Sequence, residues 1–412
     1  MKIRSSKRIC LSIAIFCLIF LAFTQAAAAG VITVDDNGGE DYASIQAAVN
    51  NANDGDTIVV YPGTYIENVK VNKSVAIISG NPDDTNVRAA NPDDDVFYVT
   101  ADDVKISGFN IIGANTDHPA KAQTSSYNTG YPNAGLYFDG VEGCIITNNS
   151  LSDNIWGIAL AGSINNELNA NIALNNQQGV VLVDSLNNTL SNNTASNNIR
   201  YGIYLLKSNS NTLSNNTANS NKVDGIFLWK SNNNTLNGNS ASSNNRGIYL
   251  YSSINNELSN NLAKSNTDYG IFLFSSSNNL IYNNYFDNMN NVGFYEISTG
   301  NICNITKTED TSITGGPYLG GNYWSTPDGK GFSQTCIDAD GDGICDSPYI
   351  INENNIDYLP LSDMNAEFNP LMYDDNSNGG IDKDEIFDAI KDYFGNKITK
   401  DDVFEVIKEY FR

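Results

Sequence analysis

One turn of a repeat is written in GIYLLKSNSNTLSNNTANSNKVD, residues 202–224, and its first four residues return as GIFL at 225–228, GIYL at 247–250 and GIFL at 270–273. The opening glycine recurs at intervals of 22 or 23 residues. It stands at Gly135, Gly157, Gly179, Gly202, Gly225, Gly247, Gly270 and Gly293. A fixed period of this length is typical of a solenoid, and the short strand-like unit within it indicates a β-helix.

Each repeat contains three short strand-like segments. In the first, the residues one and three places after the glycine are aliphatic, as in Ile203 and Leu205, and alternation with period two points them inward. The other two segments each place an apolar residue two places after an asparagine, as in Leu213 and Ala218. We therefore predict an all-β solenoid with three strands per coil and coils about 4.8 Å apart.

Asparagines recur with the same period and form three columns. The columns begin at Asn149, Asn154 and Asn166, and each returns on successive coils. We expect these side chains to lie at corners, where asparagine tolerates left-handed backbone, and to hydrogen-bond the amides above and below. The columns therefore predict structure rather than a ligand site.

Aromatic residues occupy the outward positions of the first strand on successive coils. They are Tyr204, Phe227, Tyr249 and Phe272 two places after the glycine, and Trp229, Tyr251 and Phe274 four places after it, bordered by Lys207 and Lys230. Exposed apolar surface of this size usually marks binding, and aromatic faces beside polar groups suit sugar rings or a protein partner. The alternative is cross-coil packing of the rings beneath a terminal segment or loop.

Charge and the N-terminus bear on location and partners. The formal net charge is −24, and residues 1–29 hold four cations and no acid, so the rest carries −24 − 4 = −28. This charge argues against nucleic acid and anionic membrane as partners and suits cations, calcium above all.

A basic start, an apolar run over 9–23 and Ala27-x-Ala29 predict a signal peptide at residues 1–29, with an uncleaved anchor as the alternative. We expect a secreted or cell-surface protein with no transmembrane segment after cleavage.

The opening of the mature chain indicates how the solenoid starts. Residues 31–69 contain a strand at 32–34, an amphipathic helix at 41–49 that would cap the open end, and two strands around Pro62-Gly63. This segment resembles the first coil of pectin methylesterases and other right-handed β-helix proteins, and implies a right-handed parallel β-helix over residues 30–319. The esterases' Asp pair and Arg find no match further on. A polar insertion at 116–132, which holds the single histidine His118, is a candidate binding loop.

The end of the repeat carries a more specific resemblance. Gly321-Asn322-Tyr323-Trp324 is followed by an Asp-rich loop and by Leu359-Pro360-Leu361 within a predicted cap at residues 320–366. Together with the Gly-Ile-x-Leu coils, these motifs are similar to the NosD-type β-helix family, often described as periplasmic copper-binding or as a carbohydrate-binding and sugar-hydrolase fold. Copper needs His, Met or Cys ligands, and the chain has one His, while Met364 and Met372 lie outside the coils.

The Asp-rich loop of the cap predicts a calcium site of modified form. Its carboxylates at positions 1, 3, 5 and 9 are Asp338, Asp340, Asp342 and Asp346, and the bidentate Glu of position 12 is missing. The alternative is an acidic turn braced by a disulfide. Among the mature cysteines we favour the pair Cys336–Cys345 on local spacing and export, whereas Cys144 suits a buried free thiol equally well.

A second loop near the C-terminus matches the full calcium pattern. Its ligands would be Asp374, Asn376, Asn378, the Gly380 carbonyl, Asp382 and Glu385. The segment 381–394, which contains the following helix, has a second copy 17 residues on, at 398–411, without the metal loop. Residues 367–412 therefore resemble a dockerin-like or paired EF-hand module with one working site, which implies bound Ca²⁺ and a cohesin-like partner.

Two functional hypotheses follow. The first is a calcium-stabilised surface module, not an enzyme, that binds carbohydrate or a cell-surface protein. The second is a polysaccharide-active enzyme of the lyase, hydrolase or epimerase class acting at the 116–132 loop, and the family resemblance adds a copper accessory role as an alternative. On the coils, Asp224 and Arg246 with the two bordering lysines form no obvious acid–base pair.

Overall fold

The computed structural model describes residues 29–81, 84–115, 133–363, 380–394 and 400–411. Several sequence predictions therefore lie outside the described residues. They are the signal up to residue 28, the 116–132 insertion with His118, Met364, Met372, and the ligands Asp374, Asn376 and Asn378.

The chain forms a parallel β-solenoid of about 11 turns. Its strands form three sheets, here called A, B and C, and every pairing between coils within them is parallel and in register. This arrangement confirms the predicted solenoid.

Sheet A has 11 strands. They are Val31–Val34, Thr57–Val60, Ala76–Ser79, Lys105–Ser107, Ile145–Thr147, Glu167–Asn169, Thr189–Ser191, Thr212–Ser214, Thr235–Asn237, Glu257–Ser259 and Leu280–Tyr282. Sheet C has 10 strands. They are Val69–Val71, Phe97–Val99, Ala134–Asp139, Trp156–Ala161, Gln178–Val183, Ile203–Leu206, Asp224–Trp229, Arg246–Tyr251, Tyr269–Phe274 and Val292–Tyr295.

Sheet B consists of regular strands at its two ends and only of single bridges in the middle. Its strands are Gly63–Ile66, Thr85–Arg88, Asn110–Ile112, Ser150–Ser152 and Ile172–Ala173, then Leu262–Lys264, Tyr285–Asp287 and Tyr323–Ser325. Between the two groups the coils are joined by single bridges at Thr194, Thr217 and Ser240. Because Tyr323–Ser325 pairs with Tyr285–Asp287, the solenoid extends into the segment predicted as its cap.

Inward side chains build one continuous core from Val34 to Trp324. The aliphatic pair that follows the glycine is fully buried on the six coils from Gly157 to Gly270, as predicted for Ile203 and Leu205. A glycine is required at this position because a side chain would collide with neighbouring atoms. A Cβ on Gly225 would lie 2.6 Å from Nδ2 of Asn244 and 2.7 Å from the carbonyl oxygens of Ala218 and Gly247. The glycine column and one asparagine column therefore occupy the same corner.

The three asparagine columns form buried ladders. The Oδ1 of Asn188, for example, accepts the backbone N–H and the Nδ2–H of Asn166 on the preceding coil, both at 2.9 Å. The expectation of left-handed backbone at these asparagines is wrong by one position. The residue with left-handed backbone is instead the one before each ladder asparagine, such as Asn187 before Asn188, with φ of 55°. The chain therefore turns at that residue, and the asparagine that follows points its amide inward.

A fourth ladder consists of serines and was not predicted. Ser185 donates its N–H to Oγ of Ser208 at 3.1 Å, and Ser208 does the same to Ser231 at 3.0 Å. These serines follow the ends of the sheet C strands and are fully buried. Their recurrence at the repeat period was visible in the sequence.

A helix, α1 at Ile45–Asn51, covers the first coil and buries Ile45, Ala48 and Val49, the predicted apolar face. It begins later than the predicted residue 41. Ser44 caps it by accepting the N–H of Ala47 at 3.2 Å. Asp41 instead accepts the N–H and hydroxyl of Thr33, both at 2.9 Å.

The C-terminal end of the solenoid is closed by short elements. These are α2 at Phe332–Thr335 and the antiparallel pairs Thr308–Glu309 with Tyr318–Leu319 and Tyr349–Asn352 with Asn355–Asp357. Two further helices, α3 at Lys383–Phe394 and α4 at Lys400–Tyr410, pack on each other through Ile381, Ile386, Ala389 and Val406. None of the described helices is long and apolar enough to cross a membrane.

Candidate functional site

The outward face of sheet C carries the predicted aromatic residues in two columns. Register places Tyr204, Phe227, Tyr249 and Phe272 in one column and Trp229, Tyr251 and Phe274 in the other. The expectation of an exposed stripe is wrong at Tyr204 and Phe227, which are only 8% and 6% exposed. They belong to a second apolar cluster outside the core, together with Val181 and Trp156. The remaining five aromatic residues are partly exposed.

Ring packing explains this burial. The rings of Tyr204, Phe227 and Tyr249 are stacked nearly parallel along the solenoid axis, with centroids 5.1 and 4.7 Å apart. Their faces therefore contact each other. In the outer column Trp229 meets Tyr251 edge-on at 5.5 Å, and Tyr251 is tilted against Phe274 at 4.9 Å. This column offers more ring surface to an external ligand.

Residues that precede the glycine also lie on this face, which alternation did not predict. Arg246 stacks its guanidinium over the ring of Tyr249 at 4.0 Å, and Tyr201 packs on Tyr204 at 5.2 Å. Residues three apart would face opposite sides of a regular strand. Arg246 and Tyr201 nevertheless lie on the outer face, since each contacts an outward ring of its own strand.

An ion pair lies within this face. Arg246 donates from Nε to one oxygen of Asp224 at 2.7 Å and from Nη2 to the other at 3.2 Å. The Asp224 side chain is fully buried, whereas that of Arg246 is 22% exposed. Burial raises the pKa of Asp224, and the guanidinium opposes that shift. Because its oxygens are enclosed, the carboxylate serves to hold Arg246 rather than to meet a substrate.

Lys207 and Lys230 are exposed at the ends of their strands. Both have left-handed backbone, with φ of 49° and 51°. They occupy the same position on successive coils, one place before the buried serine ladder. The structure thus brings the two predicted lysines beside Trp229.

The acidic loop of the cap brings three of its four predicted ligands together. Oxygen atoms of Asp338, Asp340 and Asp342 lie within 4.8 Å of one another. Asp346 lies apart from this group and accepts the N–H of Ala339 at 3.3 Å. Burial and the two neighbouring carboxylates raise the pKa of Asp340 above its usual value.

Other groups around this loop fix its shape. Asp338 accepts the N–H groups of Asp342 and Gly343 at 3.1 and 2.9 Å and the Ser362 hydroxyl at 2.7 Å. Lys307 pairs with Asp342. Cys336 and Cys345 form a disulfide with Cα atoms 5.7 Å apart, while Cys144 and Cys303 are free and buried.

Only the second half of the C-terminal calcium loop is described. Glu385 is buried at the start of α3, and its Oε2 accepts the N–H of Asp382 at 2.7 Å. Gly380 precedes this turn. Phe387 and Phe394 of the same helix are mostly exposed.

A family model described as periplasmic copper-binding protein (NosD) matches residues 49–239 and 122–329. The two matches together cover more than half of the chain. This chain belongs to the NosD family. The sequence resemblance to that family is thereby confirmed.

Two further comparisons describe what this NosD-family chain is similar to. A cell surface glycoprotein of Methanothermus fervidus is 29% identical over 139 residues, which are 33% of this chain and 20% of the relative. The match therefore spans about a fifth of that relative's length. The A-module of the Azotobacter vinelandii mannuronan C-5 epimerase AlgE6 has a TM-score of 0.50 at 17% identity and covers 68% of this chain and 79% of its own. This second likeness shows a shared fold.

The family description raises the question of copper, whose protein ligands include His, Met and Cys. Among the described residues, Cys144 and Cys303 are buried in different coils, Cys336 and Cys345 are oxidised, and Met289 is exposed. The group of potential ligands that does converge in this part of the chain is the trio of aspartates in the cap. Carboxylate oxygens suit calcium or magnesium better than copper. The described residues therefore do not fit a copper site.

Proposed function

We propose that this NosD-family protein is an extracytoplasmic surface protein that binds carbohydrate on the outward face of sheet C. The observation that carries the proposal is the outer aromatic column of Trp229, Tyr251 and Phe274, partly exposed on three successive coils. Aromatic rings beside polar groups offer the apolar surface and hydrogen bonds that sugar rings use. Similarity to a cell surface glycoprotein and to a family described as periplasmic supports the location.

Around the outer aromatic column, the face is suited to binding rather than to acid–base chemistry. A general acid or base must come within hydrogen-bond reach of the substrate. Along the three strands that carry this column, Asp224 is the one acid, and both of its oxygens are held by Arg246 beneath the surface. The rings and the guanidinium form a preorganised surface because each is packed against its neighbour on the next coil.

Substitution of the aromatic column tests this proposal. We expect Trp229→Ala combined with Tyr251→Ala to weaken glycan binding at least tenfold, since each ring stacked on a ligand contributes on the order of 1 kcal/mol or more. Binding is measured by titrating the full chain against glycans selected on an array. Tyr358→Ala is the matched control, because this tyrosine is 62% exposed but lies in the cap. Equal losses in both variants, or binding to no glycan, would overturn the proposal.

We further propose that calcium binds the cap through Asp338, Asp340 and Asp342, and binds the C-terminal loop through its predicted ligands. Three clustered carboxylates facing one lysine leave a local excess of negative charge, which a divalent cation would neutralise. At the C-terminal loop, support comes from the sequence pattern and from the buried position of Glu385. Calcium there would stabilise structure, and a cohesin-like partner is the further hypothesis for α3 and α4.

A further inference from the structure

Positive charge is concentrated on three coils of an otherwise acidic chain. Residues 200–251 hold five cations and one acid, a net charge of 5 − 1 = +4, so the remainder of the chain carries −24 − 4 = −28. The cations are Arg200, Lys207, Lys222, Lys230 and Arg246. The acid is Asp224, which is buried and paired with Arg246.

The fold distributes these cations along both margins of one sheet face. Lys207 and Lys230 stand where the strands of sheet C end, and Arg200 and Lys222 stand at the corner before the strands begin. All four are exposed. Within the described part of the chain, none of the four has an acidic partner within ion-pair distance. The partly exposed rings of Trp229, Tyr249 and Tyr251 lie between the two margins.

Like charges at equivalent positions of adjacent strands repel each other. Lys207 and Lys230 are such a pair, on coils about 4.8 Å apart. Neither lysine is needed to stabilise the folded state, because each is exposed and follows a strand whose aromatic residues already pack on each other. An anionic ligand along this margin would remove the repulsion.

We propose that the three coils from Arg200 to Tyr251 bind an anionic polysaccharide, whose sugar rings lie on the aromatic column and whose carboxylates meet the cationic margins. This inference rests on the proposed carbohydrate binding and specifies the class of glycan. Arg246 supports it, because Asp224 occupies two of its five N–H donors and Tyr249 fixes the guanidinium plane. The guanidinium of Arg200 also lies over an aromatic ring, that of Tyr201, at 5.3 Å.

Acids mark the limits of the surface. Asp184 occupies the position of Lys207 on the preceding coil, and Asp268 lies on the coil after Arg246. The cationic surface therefore extends about 10 Å along the axis, the span of three coils. Charges separated by more than about 8 Å are largely screened at physiological salt, so the local cations outweigh the net negative charge of the chain.

A pair of polymers that differ only in charge tests the inference. Full-length protein is titrated with polygalacturonate and with the same polymer after reduction of its carboxylates to alcohols. We expect the charged polymer to bind about tenfold tighter at low salt, and the difference to shrink as salt is raised, because exposed charges are screened. A parallel comparison of dextran sulfate with dextran shows whether sulfate replaces carboxylate, and a preference for either charged polymer supports the proposal.

Matched variants connect the effect to the surface. Lys207→Gln with Lys230→Gln should abolish most of the preference for the charged polymer while leaving the melting temperature unchanged. Lys264→Gln is the control, because this lysine is exposed on sheet B, on the turn that begins with the strand Arg246–Tyr251. Equal affinity for charged and reduced polymers would overturn the inference and leave carbohydrate binding intact. Binding to neither polymer nor to any array glycan would count against the proposed function itself. Tighter binding to a single-stranded oligonucleotide of equal charge would also overturn it.

Discussion

A single asparagine ties three coils together. The Oδ1 of Asn216 accepts the backbone N–H and the Nδ2–H of Asn193 at 3.0 and 2.9 Å. Its own Nδ2 donates to the carbonyl of Leu190 and to Oδ1 of Asn239, both at 2.9 Å. All of these groups are buried away from water. The amide is suited to this task because it offers a donor and an acceptor on one short side chain.

Asn216→Ala should therefore be strongly destabilising. It leaves two donors of Asn193 and one carbonyl without partners, and each unsatisfied buried group costs about 1–3 kcal/mol. We expect the free energy of unfolding to fall by roughly 3–6 kcal/mol. Thermal and denaturant melts measure this change. Asn354→Ala, at an exposed turn of the cap, is the control and should stay within about 0.5 kcal/mol. A similar small effect at Asn216 would show that the ladder is not stabilising.

At the scale of residues, the sequence predicted the features that depend on the repeat period alone. It did not predict those that depend on backbone geometry. The columns of asparagine and the buried aliphatic pairs follow from spacing. The left-handed residue does not, because Asn, Ser and Lys all occupy it, as at Asn215, Ser210 and Lys207. Burial of Tyr204 and Phe227 was likewise hidden, since alternation gives the side of a strand but not what packs against it.

At the scale of elements, one carboxyl joins the segments that close the solenoid. Asp357 ends the last hairpin strand and accepts the Asn322 N–H at 2.8 Å, the Trp324 indole N–H at 2.9 Å and the Leu359 N–H at 3.1 Å. A Cβ on Gly321 would lie only 1.8 Å from its Oδ1. The Gly-Asn-Tyr-Trp motif is thus explained by its contacts with this acid. The motif is recognisable in the sequence, but its partner is not, because Asp357 lies more than 30 residues away.

Asp357 also predicts how stability depends on pH. Burial raises its pKa to about 7, well above the value of about 4 in an unfolded chain. The folded state therefore holds a proton that the unfolded state has released between about pH 4 and pH 7, and stability falls as pH rises through that window. The steepest slope from one proton is about 1.4 kcal/mol per pH unit.

Asp357→Asn should remove this contribution. The variant should be less stable than the natural protein at pH 5, and its stability should equal or exceed that of the natural protein at pH 8. The reason is that the amide stays neutral at both values, whereas Asp357 ionises. Melting temperatures across this range provide the measurement. Asp310→Asn is the control, because this residue is exposed directly after the strand Thr308–Glu309, which helps to close the same end of the solenoid. A variant with an unchanged pH slope would mean that the three N–H donors keep Asp357 ionised despite its burial.

For the whole molecule, charge is segregated by position along the solenoid. The aromatic face in its second half is locally positive, whereas acids converge in the cap. The repeat period predicted the long regular body, because every coil repeats the same inward residues. It could not predict the cap contacts, which join segments without internal symmetry. The last coil lacks a neighbour on one side, so an ion bound in the cap would supply contacts that the next coil supplies elsewhere.

Calcium should stabilise the cap and the pair of helices α3 and α4 separately. At free Ca²⁺ 100-fold above Kd, a site that exists only in the folded state adds about 2.7 kcal/mol. Hydrogen exchange with and without Ca²⁺ should show added protection both at residues 323–361 and in α3 and α4.

Asp340→Asn should abolish the added protection at residues 323–361, and Glu385→Gln should abolish that in α3 and α4, so each variant serves as the control for the other. Glutamine at 385 still offers an oxygen to the Asp382 N–H, so a lost gain there reports on the metal rather than the turn. Protection that is unchanged by Ca²⁺ and by chelator in both regions would reject calcium at both loops, and the carboxylates of the cap would then be balanced by Lys307 alone.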